Sequence, residues 1–198
     1  MNTNIDYLIM GLLMNGDKSG YDIKKIIELS PVPSISSSCG SIYPAIKKLE
    51  KEEILEKHLI VQDDKPNKHL LLLTPKGKKT FMEWLSAPIL IENFNMADES
   101  FNQKFLFFSY LNENEVNAHC CEQIRAINNF IESVEGFKVK YGSQLDKYAL
   151  WNLKGSLDLL KCRLKWLNDI LNDLKNEVSI NKFSKAKCIK QHCFKQKF

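Results

Sequence analysis

Residues 40–77 read GSIYPAIKKLEKEEILEKHLIVQDDKPNKHLLLLTPKG, and this stretch decides the fold. From Ser41 to about residue 53, Ile42, Ala45, Ile46 and Leu49 recur at helical spacing, with Tyr43, Lys47, Lys48 and Lys51 on the other side. If Ser41 caps this helix, Pro44 falls in the first turn. Its missing N–H then costs nothing, because the first four amides of a helix have no intrahelical acceptor. With Ser38 as the cap, the helix would have to bend at Pro44. The period then changes. Leu55, Leu59, Ile60 and Val61 form a β-prone run, Asp63-Asp64-Lys65-Pro66-Asn67 a turn-rich break, and Leu70 to Leu73 a second run. Two short runs around a polar break predict a hairpin. Thr74-Pro75 opens a further helix with a capping hydroxyl and a proline at its first position, and Phe81, Trp84 and Leu85 are its apolar side.

Two helices precede this stretch. Ile5, Leu8, Ile9, Leu12 and Leu13 mark one over 4–14, stopped by Asn15-Gly16-Asp17. Ser19 caps the next, in which Ile23, Ile26 and Ile27 line one side and Lys24 and Lys25 the other. It ends at Ser30-Pro31-Val32-Pro33, since each proline disfavours helix in the residue before it. The order helix, helix, helix, hairpin, helix is that of a winged helix-turn-helix.

Beyond a hinge around Ala87-Pro88, Asn93 and Asn95, everything reads as helix. Phe101, Phe105 and Phe108 share a stripe, and Asn112 and Glu115 have capping-box spacing. A helix over about 113–140 carries Val116, Cys120, Ile124, Ile127, Ile131 and Val134, until Tyr141-Gly142-Ser143. In the last helix Leu150, Leu153, Leu157, Leu160, Leu164, Leu167, Leu171, Leu174 and Val178 alternate spacings of three and four, a heptad seam. A second stripe runs Trp151, Gly155, Leu159, Cys162, Trp166, Ile170. Two apolar faces on one helix ask for two neighbours. A homodimer interface is therefore expected from Leu150, Leu153, Leu157, Leu160, Leu164, Leu167 and Leu171 with Trp151 and Trp166.

The fold class expected is mostly α with a small β-hairpin. A winged helix-turn-helix domain over 1–88 is followed by a helical, coiled-coil-like dimerisation domain over 89–178. A basic tail over 179–198 is expected to be mobile.

Composition sets the function classes. The chain has 198 residues, 44% hydrophobic and 26% charged, as in ordinary globular proteins. No apolar run approaches the ~18–20 residues of a membrane helix. Tyr7 to Met14 follows Asp6 and lacks a basic lead-in, so no signal peptide and no membrane partner are expected. A cytoplasmic location with reduced cysteines follows. Residues 1–90 carry net +1, residues 91–178 net −3, and residues 179–198 six lysines and no acid. The overall +4 thus belongs to the tail, which reads either as an electrostatic arm on DNA or as an inert chain end.

The six cysteines form no CxxC pair. Cys188 and His192 stand at i, i+4 with Cys193 beside them, and His119-Cys120-Cys121 is adjacent in sequence; free thiols and surface histidines are the reading preferred to a metal site. None of His58, His69, His119 and His192 neighbours a nucleophile–acid set, and no glycine-rich phosphate loop occurs. Neither catalysis nor a cofactor is expected.

The binding chemistry lies elsewhere. In a recognition helix, Ser41 and Tyr43 would meet base edges and Lys47 and Lys48 phosphates. At the hairpin tip Lys65 and Lys68, with Asn67 and His69, would lie along the phosphate backbone. The plainer readings are a solvated helix face and a polar turn. Phe101, Phe105, Phe108 and Trp151 are candidates to line an apolar effector pocket, against the plainer reading of core and interface.

Leu8-Ile9-Met10-Gly11-Leu12-Leu13, Ser19-Gly20-Tyr21-Asp22-Ile23-Lys24 and, most specifically, Gly40-Ser41-Ile42-Tyr43-Pro44-Ala45-Ile46-Lys47-Lys48-Leu49-Glu50 resemble PadR-type transcriptional regulators. Leu73-Thr74-Pro75-Lys76-Gly77 resembles the end of that family's wing, and the helical remainder is similar in outline to its longer branch. The resemblance implies a homodimeric winged-helix repressor without enzymatic activity, whose C-terminal helices dimerise and can bind an effector. It places Tyr21, Ser41, Tyr43, Lys47 and Lys48 on or near the DNA face. The expected function is a sequence-specific regulator, a repressor on a double-stranded operator, relieved by a small apolar or aromatic effector. The alternative is a winged-helix protein-interaction adaptor without DNA binding, kept open by the near-neutral charge of residues 1–90.

Overall fold

A computed structural model describes residues 4–30, 39–60, 68–89 and 100–193 of the chain, the side chains of 39, 68 and 177–193 excepted. They fall into two compact units. Of the described residues, one unit comprises those up to Ile89 together with 100–112, and the other those from Glu113 onward.

In the first unit the elements are α1 (Asn4–Met14), α2 (Gly20–Leu29), α3 (Ile42–Lys51), β1 (Leu55–Ile60), β2 (Lys68–Leu73), α4 (Pro75–Ser86) and α5 (Ser100–Phe105). Helix α1 is the centre, packing against α3, α4 and β2 and burying Asp6, Leu8, Ile9, Met10, Gly11 and Leu13. The start of α2 is fixed by a capping box. Ser19 Oγ accepts from the Asp22 amide at 3.1 Å, and the Asp22 carboxylate accepts from the Ser19 amide at 3.2 Å. Ile23 and Ile27 are buried as expected, but Ile26 is exposed.

β1 and β2 form an antiparallel hairpin in which Leu55 pairs with Leu73 and Ile60 with Lys68. An isolated bridge between Lys18 and Leu71 adds a third chain to its inner edge. Between α3 and β1, Glu53 adopts a left-handed φ of 57°. The Ile54 amide bonds Leu49 O at 2.9 Å and the Glu53 amide bonds Glu50 O at 3.0 Å. This helix stop ordinarily uses glycine, so Glu53 is held there by its surroundings. Thr74 caps α4, its Oγ1 accepting from the Gly77 amide at 3.0 Å, with Pro75 at the first helical position. A Cβ at Gly77 would collide with Ile54 O, so only glycine lets α4 and the hairpin approach this closely.

The expected boundary at 88/89 differs from the compact units, which place α5 with the winged helix. Long-range side-chain packing decides this. Phe107 lies over Gly11, where any Cβ would strike its ring, and meets Phe81 edge-on at 5.4 Å. Gln103 donates to Asn4 O, and Tyr110 donates to Asn15 Oδ1 at 2.6 Å. Tyr7 stacks on Trp84 at 4.3 Å, tying α1 to α4.

Lys104 of α5 is buried. It donates to Ala87 O at 2.5 Å and lies 5.4 Å from the centre of the Trp84 ring. Burial lowers its pKa from 10.5 to about 8. Because the folded value lies below the unfolded one, charging Lys104 opposes folding. The penalty is complete below about pH 8 and is relieved as pH rises towards 10.5. At ~1.4 kcal/mol per unit it amounts to about 3 kcal/mol, part of it offset by the carbonyl and ring contacts. Lys104→Met is therefore expected to raise the stability of this unit by about 1–3 kcal/mol at pH 7. The gain should shrink steadily in urea titrations run towards pH 10.

The second unit contains α6 (Glu113–Tyr141) and α7 (Lys147–Cys193), which pack against each other. Their shared core is Val116, Cys120, Ala126 and Ile127 against Leu157, Leu160 and Leu167. The leucine seam expected between subunits is thus spent within the chain: Leu157, Leu160 and Leu167 are buried, and Leu150, Leu153, Leu164 and Leu171 are half-buried. The second stripe is the outward one, with Trp151 64% and Leu159 63% exposed, Trp166 also exposed, and open space around Gly155. Helix α7 continues past Val178 to Cys193, where a mobile tail was expected. Residues 177–193 contain no proline or glycine to stop it. Among the described residues no helix is long and apolar enough to cross a membrane.

Candidate nucleic-acid interface

The geometry of α3 follows from its four buried residues, Ile42, Ala45, Ile46 and Leu49, which bind one face to the core. Tyr43, Pro44, Lys47 and Lys51 are thereby turned outward. Pro44 lies in the first turn, as the first of the two readings required. Ser41 stands at the cap position, but its side chain makes no capping hydrogen bond. A short 3-10 turn over Cys39–Ser41 leads into the helix instead and leaves Ser41 in helical backbone geometry.

Tyr43 leans on α2. A Cβ at Gly20 would sit 3.3 Å from its ring, so the absence of a side chain there lets the two helices meet beneath Tyr43. Tyr43 remains 48% and Tyr21 66% exposed, so α2 and α3 present two tyrosines beside Lys47. Lys24 pairs with Glu28 along α2 at 3.4 Å.

Lys48 differs from the expectation of a phosphate contact. Its ammonium donates to Asp6 Oδ2 at 2.7 Å, and Asp6 is only 1% exposed. The hydrogen bond to Asp6 holds the Lys48 pKa above its ordinary value, so it stays charged. The pair is structural: the ammonium neutralises a carboxylate buried in its own unit. The sequence reading missed Asp6. The signal lay in its place three residues before Ile9 and four before Met10, on the side of α1 that packs inward.

Of the wing residues, Lys65 and Asn67 lie outside the described residues. Lys68 opens β2 opposite Ile60, its side chain outside the described set. His69 is exposed. The four candidate effector residues do not share a unit. In the first, Phe101 stacks on Phe105 and Phe108 meets both edge-on, with ring centres 5.2–5.8 Å apart. Trp151 belongs to the second, edge-on to Tyr148 at 5.8 Å.

Among the described residues no group of three or more His, Cys, Asp or Glu is placed to hold a metal ion. Cys120 is buried and its thiol pushed up to about 11 by burial, so it stays protonated and unreactive at neutral pH. Cys188, His192 and Cys193 have side chains outside the described residues.

Three helices, a hairpin and a fourth helix, with an amphipathic third helix turned outward, define a winged helix-turn-helix protein. The chain matches, over residues 9–83, the family model described as "Transcriptional regulator PadR-like family". It is 27% identical over 175 residues to the "Negative transcriptional regulator PadR" of Bacillus subtilis (strain 168), covering 84% of this chain and 95% of that protein. Among solved structures it is similar to Bacillus subtilis PadR in complex with operator DNA, at 27% identity over 85% of this chain and 98% of that one, with a TM-score of 0.43. It is also similar to the same protein in complex with p-coumaric acid, at 25% identity over 87% and 96% of the two chains, with a TM-score of 0.41.

Proposed function

We propose that the chain is a cytoplasmic, sequence-specific DNA-binding repressor that acts as a homodimer and performs no catalysis. The observation that carries this reading is the outward face of α3. Tyr43 and Lys47 stand one turn apart, opposite the four residues that fix the helix to the core, with Tyr21 of α2 beside them. An α-helix so presented fits the major groove, its early residues on base edges and its later cation on the backbone. Ser41 and Tyr43 take the first role and Lys47 the second. Lys65 and Lys68 of the wing add phosphate contacts. The description of the Bacillus subtilis relative as a negative regulator supports repression over activation. The outward stripe of α7, Trp151 and Trp166 flanking Leu159, supports a second copy as partner, since large aromatics this exposed mark interaction surfaces.

A small apolar or aromatic effector that relieves binding is the second element of the proposal. Its support is the cluster of Phe101, Phe105 and Phe108 in the unit that carries the α3 face. p-Coumaric acid is the first probe, and loss of DNA affinity on its addition is the expected effect.

The adaptor reading is favoured by one observation: residues 1–90 carry net +1, and Lys48 is already balanced by Asp6. Lys47→Ala separates the two readings. If Lys47 holds a phosphate, the variant binds every duplex more weakly and the slope of log affinity against log salt falls by about one unit per contact. An unchanged slope would remove Lys47 from the interface.

A further inference from the structure

Asp6 is the only buried acid among the described residues, and it lies in α1, which packs against α3. A carboxylate is placed in a core only when a partner compensates it, and the partner here is Lys48, forty-two residues on and 2.7 Å away. The buried residues of α3 are aliphatic: Ile42, Ala45, Ile46 and Leu49. Aliphatic groups tolerate small slides and rotations, because their attraction is non-directional. A charged hydrogen bond does not, since it needs both distance and angle. Lys48 follows Lys47 in sequence, so fixing one sets where the other points, some 100° further round the helix. Tyr43, one turn before Lys47, is set with it.

We propose that Asp6 is a positioning residue for DNA recognition: through Lys48 it fixes the rotation of α3 on α1, and so aims Tyr43 and Lys47 into the groove. This rests on the DNA-binding reading above. It assigns to Lys48 an inward role that its place in a lysine pair conceals, and it makes an acid outside the interface a determinant of specificity.

The test uses the full chain and two duplexes, one selected by the wild-type protein from a randomised library and one scrambled. Asp6→Asn and Lys48→Met are compared singly and together, with thermal melting as the control for folding. Each single variant is expected to weaken the selected duplex by about tenfold, a margin set by one misdirected base contact, while the scrambled duplex and the salt slope hardly change. The paired variant should be no worse than the poorer single one, since both remove the same constraint. If Asp6→Asn alone does not fold, Asp6→Leu with Lys48→Met replaces the ion pair by apolar groups and is expected to fold while still losing discrimination. Full discrimination in that variant would overturn the proposal. So would a Lys48→Met that weakens both duplexes equally with a slope smaller by about one unit, which would make Lys48 a phosphate ligand. A wild-type protein that enriches no sequence would instead sink the DNA-binding reading itself, a different and separately visible result.

Discussion

Leu160→Asp is expected to unfold the α6–α7 hairpin, whereas Trp151→Glu with Trp166→Glu leaves it folded and converts a dimer to a monomer. Leu160 is fully buried against α6 of its own chain. Aspartate there loses the leucine's burial and leaves a charge without a partner, together about 3–5 kcal/mol or more. Trp151 and Trp166 are exposed on the opposite side of α7, where substitution costs the single chain about 0.5 kcal/mol or less. Circular dichroism in urea reads the first effect and sedimentation velocity the second. If Leu160→Asp keeps its helices and merely dissociates, the leucine seam lies between subunits after all.

Phe81→Ala should cost the first unit about 3–5 kcal/mol. The ring is wholly buried and stands at the meeting point of α4 with the segment after α5. Its centre is 5.6 Å from that of Trp84, 5.4 Å from Phe107 and 6.3 Å from Tyr110. Removing it opens a cavity bounded by other aromatic rings, which cannot collapse into it without leaving their own contacts. The expected result is a lowered denaturation midpoint for this unit, with the α6–α7 hairpin unaffected. A loss below about 1 kcal/mol would mean that Phe107 does not pack where Gly11 admits it.

What the sequence disclosed is what neighbouring residues decide among themselves. The Ser19 cap, Pro44 inside a first turn, Thr74-Pro75 at the start of α4 and the two arms of the hairpin are all local chemistry, and all stand in the structure. Helical periodicity likewise marked the leucine face of α7, but it tells only which face is apolar. Whether α6 or another subunit covers that face is set by residues far away in sequence. The same holds for α5. Phe107 follows Phe105 by two positions and is one ring among many in the sequence, yet it is the one received by Gly11. Lys48 was indistinguishable from Lys47 by type and spacing; only the position of Asp6, some forty residues earlier, separates an internal tether from a surface cation. The helix beyond Val178 was missed because the seam ends there, although the backbone needs no seam to stay helical.

Whether this chain reads DNA sequence is tested most directly by competition binding. The wild-type protein is titrated with the duplex it selects from a random library and with a scrambled duplex of equal length, at several salt concentrations. The selected duplex is expected to bind at least about a thousandfold more tightly, with both affinities falling steeply with salt. Equal affinity for the two duplexes, or no measurable binding to either at low salt, would contradict that expectation.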